Sequence, residues 1–170
     1  MARISKRYIK NQFTSQKKIV IPFTEEGYQK VLDQKAELLS QRPDAVENLA
    51  KARAMGDLSE NGYYKASRAK LSSIDARLRK VERLVRFGKI VKSTNSGKVE
   101  IGCKVLITDG ESEYEYTLVG GYESNPAEKT ISYRSPIGKA LIGNLEQDVV
   151  EVIVPAGKKS YTILKITPIE

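Results

Sequence analysis

Hydrophobic residues recur every three or four positions over two long stretches of this chain, which predicts two helices. The first stretch is the less regular, because Lys35 and Arg42 interrupt its seam and Pro43 predicts a kink or a restart. The link between the stretches is short, so the helices must pack as an antiparallel coiled-coil hairpin. The predicted seams are Tyr28, Leu32, Leu39, Val46 and Leu49 in the first helix, and Tyr64, Leu71, Ile74, Leu78, Val81 and Val85 in the second.

Residues that typically begin and end helices flank both stretches. Thr24 is the expected N-cap of the first helix, and Gly56 is the expected residue after its end, since glycine adopts positive φ without steric cost. Asp57, or alternatively Ser59, is expected to cap the second helix, with Glu60 completing a capping box with Asp57.

The hairpin is assigned to residues 19–90, where Gly88 ends the second helix. Residues 1–18 are predicted to be a basic N-terminal extension, because they are polar and show no sustained periodicity.

From about Ile90 the hydrophobic spacing changes to alternation, which is typical of strands. Ser135 and Pro136 carry the signature of a short helix that ends near Gly143. Residues 91–170 are therefore predicted to form a small antiparallel sheet with one short helix, and the whole chain is α+β. The alternating positions are Val99, Ile101, Cys103, Val105, Ile107, Tyr114, Tyr116, Leu118, Ile131, Tyr133, Val150, Val152, Val154, Tyr161 and Ile163.

Composition narrows the chemistry that this chain could perform. It contains no histidine, which excludes Ser-His-Asp triads and makes a zinc site improbable. Its single cysteine, Cys103, alternates with other apolar strand positions and is expected to be buried. One cysteine cannot form an internal disulfide, which fits a protein of the reducing cytoplasm. No apolar stretch is long enough for a membrane helix. Lys and Arg number 29 against 21 acids, which favours contact with nucleic acid or a negatively charged protein surface.

Two carboxylates, Asp57 and Glu60, fall on the turn between the predicted helices. A capping box alone would account for them. The end of a hairpin is also where acids are fully presented to a partner, and acids of this kind recruit a hard cation such as Mg²⁺. Two acids are too few to hold Mg²⁺ tightly, because the ion needs further oxygen ligands. The pattern therefore indicates an accessory factor whose partner supplies the remaining ligands.

Two separate segments carry a family resemblance. Residues 52–61 read ARAMGDLSEN and are followed by Tyr64, and residues 131–143 read ISYRSPIGKALIG, with DVVEV at 148–152. Together these segments resemble the bacterial Gre transcript-cleavage factors, and Leu58 is closer to the GreA form than to the GreB form. The match runs in order over roughly residues 20–166.

The resemblance implies a fold and a mechanism. The C-terminal domain would be FKBP-like and would bind RNA polymerase, while the coiled coil would enter the secondary channel of the polymerase. The protein would act as a monomer. There the factor would stimulate the polymerase's own cleavage of backtracked RNA at its 3′ end, without being an enzyme itself. Asp57 and Glu60 would hold Mg²⁺ jointly with the polymerase, and Ser59 and Asn61 would orient these groups.

The resemblance also suggests contact surfaces, again as expectations. The basic residues after the tip, Lys65, Arg68 and Lys70, are candidates for binding RNA, although a solvated helix face would explain them equally well. The candidates for binding polymerase are Ser135, Pro136, Ile137 and Gly138.

Two alternatives remain open. The chain has Gly62-Tyr63 where family members usually have Ala followed by an acid, which leaves room for a non-cleaving inhibitor that binds the same channel. The net charge of +8 leaves room for a coiled coil that binds RNA without polymerase.

Overall fold

The computed structural model describes residues 19–56, 61–154 and 157–169, with the side chain of residue 154 left out. It contains a helical hairpin followed by a sheet domain with one short α-helix, so the predicted α+β architecture is confirmed. In chain order the elements are β1 (Ile21–Phe23), α1 (Glu25–Ala54), α2 (Gly62–Phe87), β2 (Gly88–Ile90), β3 (Cys103–Thr108), β4 (Glu113–Val119), β5 (Thr130–Ser132), α3 (Pro136–Leu141), β6 (Val149–Val154) and β7 (Gly157–Pro168).

Helix α1 begins and ends where its capping residues predict. The Thr24 hydroxyl accepts a hydrogen bond of 3.0 Å from the backbone N–H of Gly27. Pro43 lies inside one continuous helix of 30 residues, so the expected restart at this position does not occur. Gly56 follows the helix with φ of +72°, as its role in ending the helix requires.

The buried seam of α1 lies one residue earlier than the sequence prediction over most of its length. Leu39 and Val46 were expected to be buried, but they are 48% and 42% exposed. Four of the residues that the structure buries, Val31, Leu38, Ala45 and Ala52, are seven positions apart. Two of these are alanines, which are easily overlooked when large apolar side chains are used to predict the seam. The buried residues of α1 are Gly27, Val31, Leu38, Ala45, Leu49 and Ala52.

The seam of α2 agrees better with the prediction. Ile74, Leu78 and Val81 are buried, whereas Tyr64, Leu71 and Val85 are only half-buried. Ser67 and Leu84 complete the buried face. The buried seam in the half of the hairpin near the turn therefore contains three small residues (Ala45, Ala52 and Ser67) beside Leu49, whereas toward the base it is mainly aliphatic.

A two-stranded sheet closes the base of the hairpin. β1 pairs with β2 in parallel, with Ile21 opposite Gly88 and Phe23 opposite Ile90. Phe23 is fully buried and belongs to the same hydrophobic cluster as the helix seams. The backbone N–H of Val91 then donates to Phe23 O at 2.8 Å. This pairing was not predicted, because its two strands are separated by the whole hairpin.

The sheet domain has five strands in the order β5-β4-β3-β7-β6. Its pairs are antiparallel except that the edge strand β5 runs parallel to β4, which the expectation of an antiparallel sheet did not include. Ser135 caps α3, Pro136 is its first residue and Gly143 follows it with positive φ, as predicted. The core of this domain consists of Val99, Cys103, Val105, Ile107, Leu118, Leu141, Val150, Val152, Tyr161 and Ile163.

None of the helices within the described ranges is both long enough and apolar enough to span a bilayer.

Candidate functional site

The end of the hairpin that lies opposite its base is built by Gly56 and Asn61, where the described chain leaves α1 and enters α2. The backbone N–H of Gly56 donates to Arg53 O at 3.3 Å, which closes the last turn of α1. Only the four residues 57–60 connect these two positions. The hairpin end, which we call the tip, is defined here as residues 56–61.

Asn61 joins the two helices at the tip. Its side-chain oxygen accepts a 3.0 Å hydrogen bond from the backbone N–H of Tyr64, which makes it the N-cap of α2. Its amide nitrogen donates to Ala52 O in the last turn of α1 at 3.2 Å. The prediction that Asp57 or Ser59 caps α2 is therefore wrong, since the helix begins at Gly62. Asparagine is as good an N-cap as aspartate or serine, so sequence alone did not separate them.

Asp57, Ser59 and Glu60 lie outside the described residues, so their roles as acids and as an orienting group stay predictions. Among the residues that the structure describes, no three acidic or thiol side chains come together in a way that could hold a metal ion. Both Asp57 and Glu60 offer carboxylate oxygens, which are the ligands that Mg²⁺ takes in proteins.

Tyr63 stands beside the tip, in the first turn of α2. Its side chain is 42% exposed, and its hydroxyl donates to the Asn48 side-chain oxygen of α1 at 3.2 Å. Asn48, Tyr63 and Lys70 line a shallow groove between the helices. The residue that replaces the usual family acid is therefore an aromatic ring that bridges the two helices.

Two family models match the chain, and together they cover nearly all of the described residues. The model described as "Transcription elongation factor, N-terminal" matches residues 21–90. The model described as "Transcription elongation factor, GreA/GreB, C-term" matches residues 85–168.

Full-length relatives agree with these matches. Transcription elongation factor GreA of Paracoccus denitrificans is 38% identical over 150 residues, which cover 86% of this chain and 96% of that protein. Transcription elongation factor GreA of Novosphingobium aromaticivorans is 38% identical over 149 residues, with 86% and 94% covered. The chain belongs to the GreA/GreB family. Among solved structures, the GreA factor homolog 1 (Gfh1) of Thermus thermophilus is 24% identical with a TM-score of 0.42, covering 86% of this chain and 98% of that chain. That likeness is too low to carry an argument about function.

The basic residues that follow the tip of this GreA/GreB family member do not share one face. Lys65, Arg68 and Lys70 are all exposed. Successive helical residues turn by about 100°, so Lys65 and Arg68 lie about 60° apart, whereas Lys70 lies about 140° or more from both. Lys70 instead flanks the groove beside Tyr63. A single RNA strand on one side of α2 would contact Lys65 and Arg68 without Lys70.

The residues expected to contact polymerase in this family mostly build α3. The Ser135 hydroxyl accepts a 3.0 Å hydrogen bond from Gly138 N–H. Gly138 is buried, and a Cβ at this position would overlap Ser132 O. Ile137 is half-buried against the sheet core, which leaves Pro136 as the exposed member of the four. The cap, the first helical residue and the close packing of α3 thus account for the residue types at these four positions. Their contact with polymerase stays a prediction.

A carboxylate that sequence analysis missed lies where the hairpin meets the sheet domain. Glu123 follows β4 and accepts hydrogen bonds from Thr24 and Gly120. Burial raises the pKa of the Glu123 carboxyl, and this effect outweighs the hydrogen bonds, which lower it. No local pattern could have revealed this contact, because Glu123 and Thr24 are 99 positions apart.

A second carboxylate, Glu100, organises the segment that leads from the hairpin to the sheet domain. It accepts hydrogen bonds from the backbone N–H of Thr94 at 2.7 Å, from the Thr94 hydroxyl at 2.8 Å and from the Ser96 hydroxyl at 3.0 Å. The bonds from Thr94, and then that from Ser96, lower the pKa of the Glu100 carboxyl. The connecting segment is therefore folded around an ionised side chain.

Proposed function

We propose that this protein enters the secondary channel of bacterial RNA polymerase, in the cytoplasm and as a monomer, and stimulates the polymerase's endonucleolytic cleavage of backtracked RNA. Cleavage would release arrested complexes by creating a new RNA 3′ end in the active site. Family membership supports the polymerase as the partner. The shape of the hairpin and the chemistry of the tip support the remaining steps.

The observation that carries the proposal is the length of the hairpin, and it is taken together with the place of the two acids in the sequence, between α1 and α2. Helix α1 has 30 residues and is about 45 Å long, at 1.5 Å per residue. The described chain leaves α1 at Gly56 and resumes at Asn61, opposite the base. Asp57 and Glu60 are tethered to this end by the chain on either side. Such a hairpin could deliver two carboxylates deep into a partner while the sheet domain stays outside.

Asp57 and Glu60 would act as ligands and as acceptors for a water. The Asn61 side chain is already engaged with Tyr64 N–H and Ala52 O, so the two acids are the donors that remain for a hard cation. When bound between the two proteins, Mg²⁺ would supply charge stabilisation at the attacking or leaving oxygen of the phosphodiester. Two carboxylates hold such an ion only weakly, so the factor would be inactive without polymerase and would not itself be an enzyme.

Contacts around the tip would bring the RNA to these acids. Lys65 and Arg68 lie on one face of α2 and would meet the phosphates of the extruded 3′ segment, with Ser59 and Asn61 shaping the tip. On the sheet domain, Pro136 is exposed and could contact the rim of the channel, with Ser135, Ile137 and Gly138 holding it in place.

The test is RNA cleavage by arrested elongation complexes assembled with the cognate polymerase. Asp57→Asn and Glu60→Gln are expected to abolish stimulated cleavage and to leave polymerase binding unchanged. Glu82→Gln removes an exposed acid from α2 away from the tip and serves as the matched control. Full cleavage by the Asp57→Asn/Glu60→Gln double variant would refute the proposal.

One observation favours a second function, that of a non-cleaving inhibitor in the same channel. Tyr63 replaces an acid that the family usually carries, and its ring is fixed to α1 through Asn48. Strong inhibition of elongation without any cleavage products would support this second function. Restoration of cleavage by Tyr63→Glu would then identify the replaced acid as the cause.

A further inference from the structure

Glu123 links the two parts of the molecule at the start of α1. One of its oxygens accepts hydrogen bonds from Thr24 N–H at 3.2 Å and from Gly120 N–H at 3.0 Å. The other oxygen accepts from Thr24 N–H at 3.2 Å and from the Thr24 hydroxyl. Thr24 is also the N-cap of α1, so the carboxylate lies at the positive end of the dipole of a 30-residue helix.

The space around this carboxylate is created by two glycines, one from each part of the molecule. A Cβ at Gly27, in the first turn of α1, would overlap Glu123 Oε2. A Cβ at Gly120, at the end of β4, would overlap Glu123 Oε1 and Pro22 O. The surface of the hairpin base and the surface of the sheet domain are therefore both shaped around one half-buried side chain.

The other contacts near this junction are weaker or less specific. Tyr122 stacks on Phe23 with ring centroids 6.5 Å apart, but it is 50% exposed. Glu128 approaches Lys30 at 3.8 Å, and both side chains are more than half exposed, so this pair contributes little. The buried cluster of the hairpin and that of the sheet domain are separate, so no core shared among the described residues fixes the two parts together.

We propose that Glu123 is the clamp that sets the angle of the hairpin on the sheet domain. This inference rests on the proposed function for its consequence, namely that the angle positions the tip acids inside polymerase. Glu123 is thus a positioning residue that never touches the RNA.

The length of the hairpin makes the angle decisive. A tilt of about 10° at the base of a helix about 45 Å long displaces its far end by roughly 8 Å. Displacement of a catalytic group by only 1 Å can cost about 10²-fold in rate. Loss of the Glu123 contacts would therefore let the tip take many positions, and in most of them the acids would not reach the reacting phosphodiester. The surfaces that bind polymerase would stay intact.

The clamp can be tested without polymerase by measuring a distance across the junction. Spin labels at Ser72→Cys on α2 and Lys159→Cys on β7 report the angle, because both positions are exposed. Cys103 is buried, and labelling of the otherwise unchanged chain checks that it stays unreactive. Glu123→Ala is expected to broaden the distance distribution about twofold. Glu128→Ala, which removes a nearby exposed carboxylate, is expected to leave it unchanged. An unchanged distribution in Glu123→Ala would overturn the proposal.

The functional consequence is tested by RNA cleavage at increasing factor concentration. For Glu123→Ala we expect the maximal rate to fall about tenfold or more, with the half-saturating concentration unchanged within about threefold, since misplacement affects the reaction and not binding. A merely destabilised protein would lose apparent affinity instead, because part of it would be unfolded. If the unmodified protein failed to stimulate cleavage, the proposed function would fail, and the distance measurement would still decide whether Glu123 is the clamp. Equal maximal rates for Glu123→Ala and Glu128→Ala would contradict the positioning role.

Discussion

Gly27→Ala would expel the Glu123 carboxylate from its place without altering Glu123 itself. The added methyl group would occupy the position of Glu123 Oε2, and the flexible glutamate is the partner that can move. The same substitution in a Glu123→Ala background has no carboxylate to displace. We therefore expect Gly27→Ala to destabilise the native chain and to be neutral or stabilising in the Glu123→Ala variant.

The magnitude follows from the bonds that are lost. A hydrogen bond to a charged group contributes about 1.5–3 kcal/mol, and burial of the Glu123 carboxyl, which raises its pKa, works against this stabilisation. We expect displacement of the carboxylate to cost about 2 kcal/mol, against a helix-propensity gain of up to about 1 kcal/mol for alanine over glycine. The net effect is about 1 kcal/mol of destabilisation in the native background. The difference between the two backgrounds is then about 2 kcal/mol.

Urea unfolding followed by far-ultraviolet circular dichroism measures these free energies for all four chains. Gly62→Ala is a matched control, because it also lies in the first turn of a helix and no atom lies within 4 Å of the added Cβ. We expect it to stabilise the protein in both backgrounds. Equal effects of Gly27→Ala with and without the Glu123 carboxylate would refute the reasoning, since the two groups would then not compete for space.

Three further predictions concern other parts of the molecule. Asn61→Ala should lower the free energy of unfolding by about 1 kcal/mol and speed amide hydrogen exchange in the first turn of α2, because it removes the N-cap; unchanged exchange rates would argue against the cap. Gly138→Ala should lower the melting temperature strongly, by the equivalent of about 3 kcal/mol, because its Cβ would overlap Ser132 O; a melting temperature equal to that of the native chain would contradict this packing. The pKa of Glu100 is lowered from its ordinary value of 4.5, so its stabilisation is present above that pH and is lost as the pH falls through the lower folded-state value. Glu100→Gln should therefore melt below the native chain at neutral pH and approach it in acid, and a constant difference across this range would contradict the assignment.

The hairpin could be predicted from sequence because its signals are local. Thr24 and Gly56 mark the two ends of α1 through capping chemistry that involves only near neighbours. The face of α1 was harder to predict, since Ala45 and Ala52 are buried where Val46 was expected. Burial in a narrow seam depends on the facing helix, and alanine gives no hydrophobic signal strong enough to reveal it.

Long-range features of the structure could not be predicted in the same way. The parallel pairing of β1 with β2 joins strands that precede and follow the whole hairpin in the sequence. The parallel edge strand β5 depends on the path of the chain after β4. Glu123 is one acid among many in the sequence, and only the folded chain shows that it meets Thr24. The assignment of Asp57 and Glu60 as the tip acids, in contrast, rests on their place between the two helices in the sequence and on a motif that resembles a known family, and it stays a prediction.

The buried side chains between α1 and α2 differ in size between the tip half and the base half of the hairpin, and this difference affects how closely the two helices can pack. Small side chains allow helix axes to approach closely, and three of the buried residues in the outer half of the hairpin, Ala45, Ala52 and Ser67, are small. Larger buried residues, such as Leu38 and Leu78, lie nearer the base. If the hairpin enters a narrow channel, as proposed, small side chains on its leading half would help it to pass. Because Ala52 is fully buried, a larger side chain at this position is expected to push the two helices apart at the tip end.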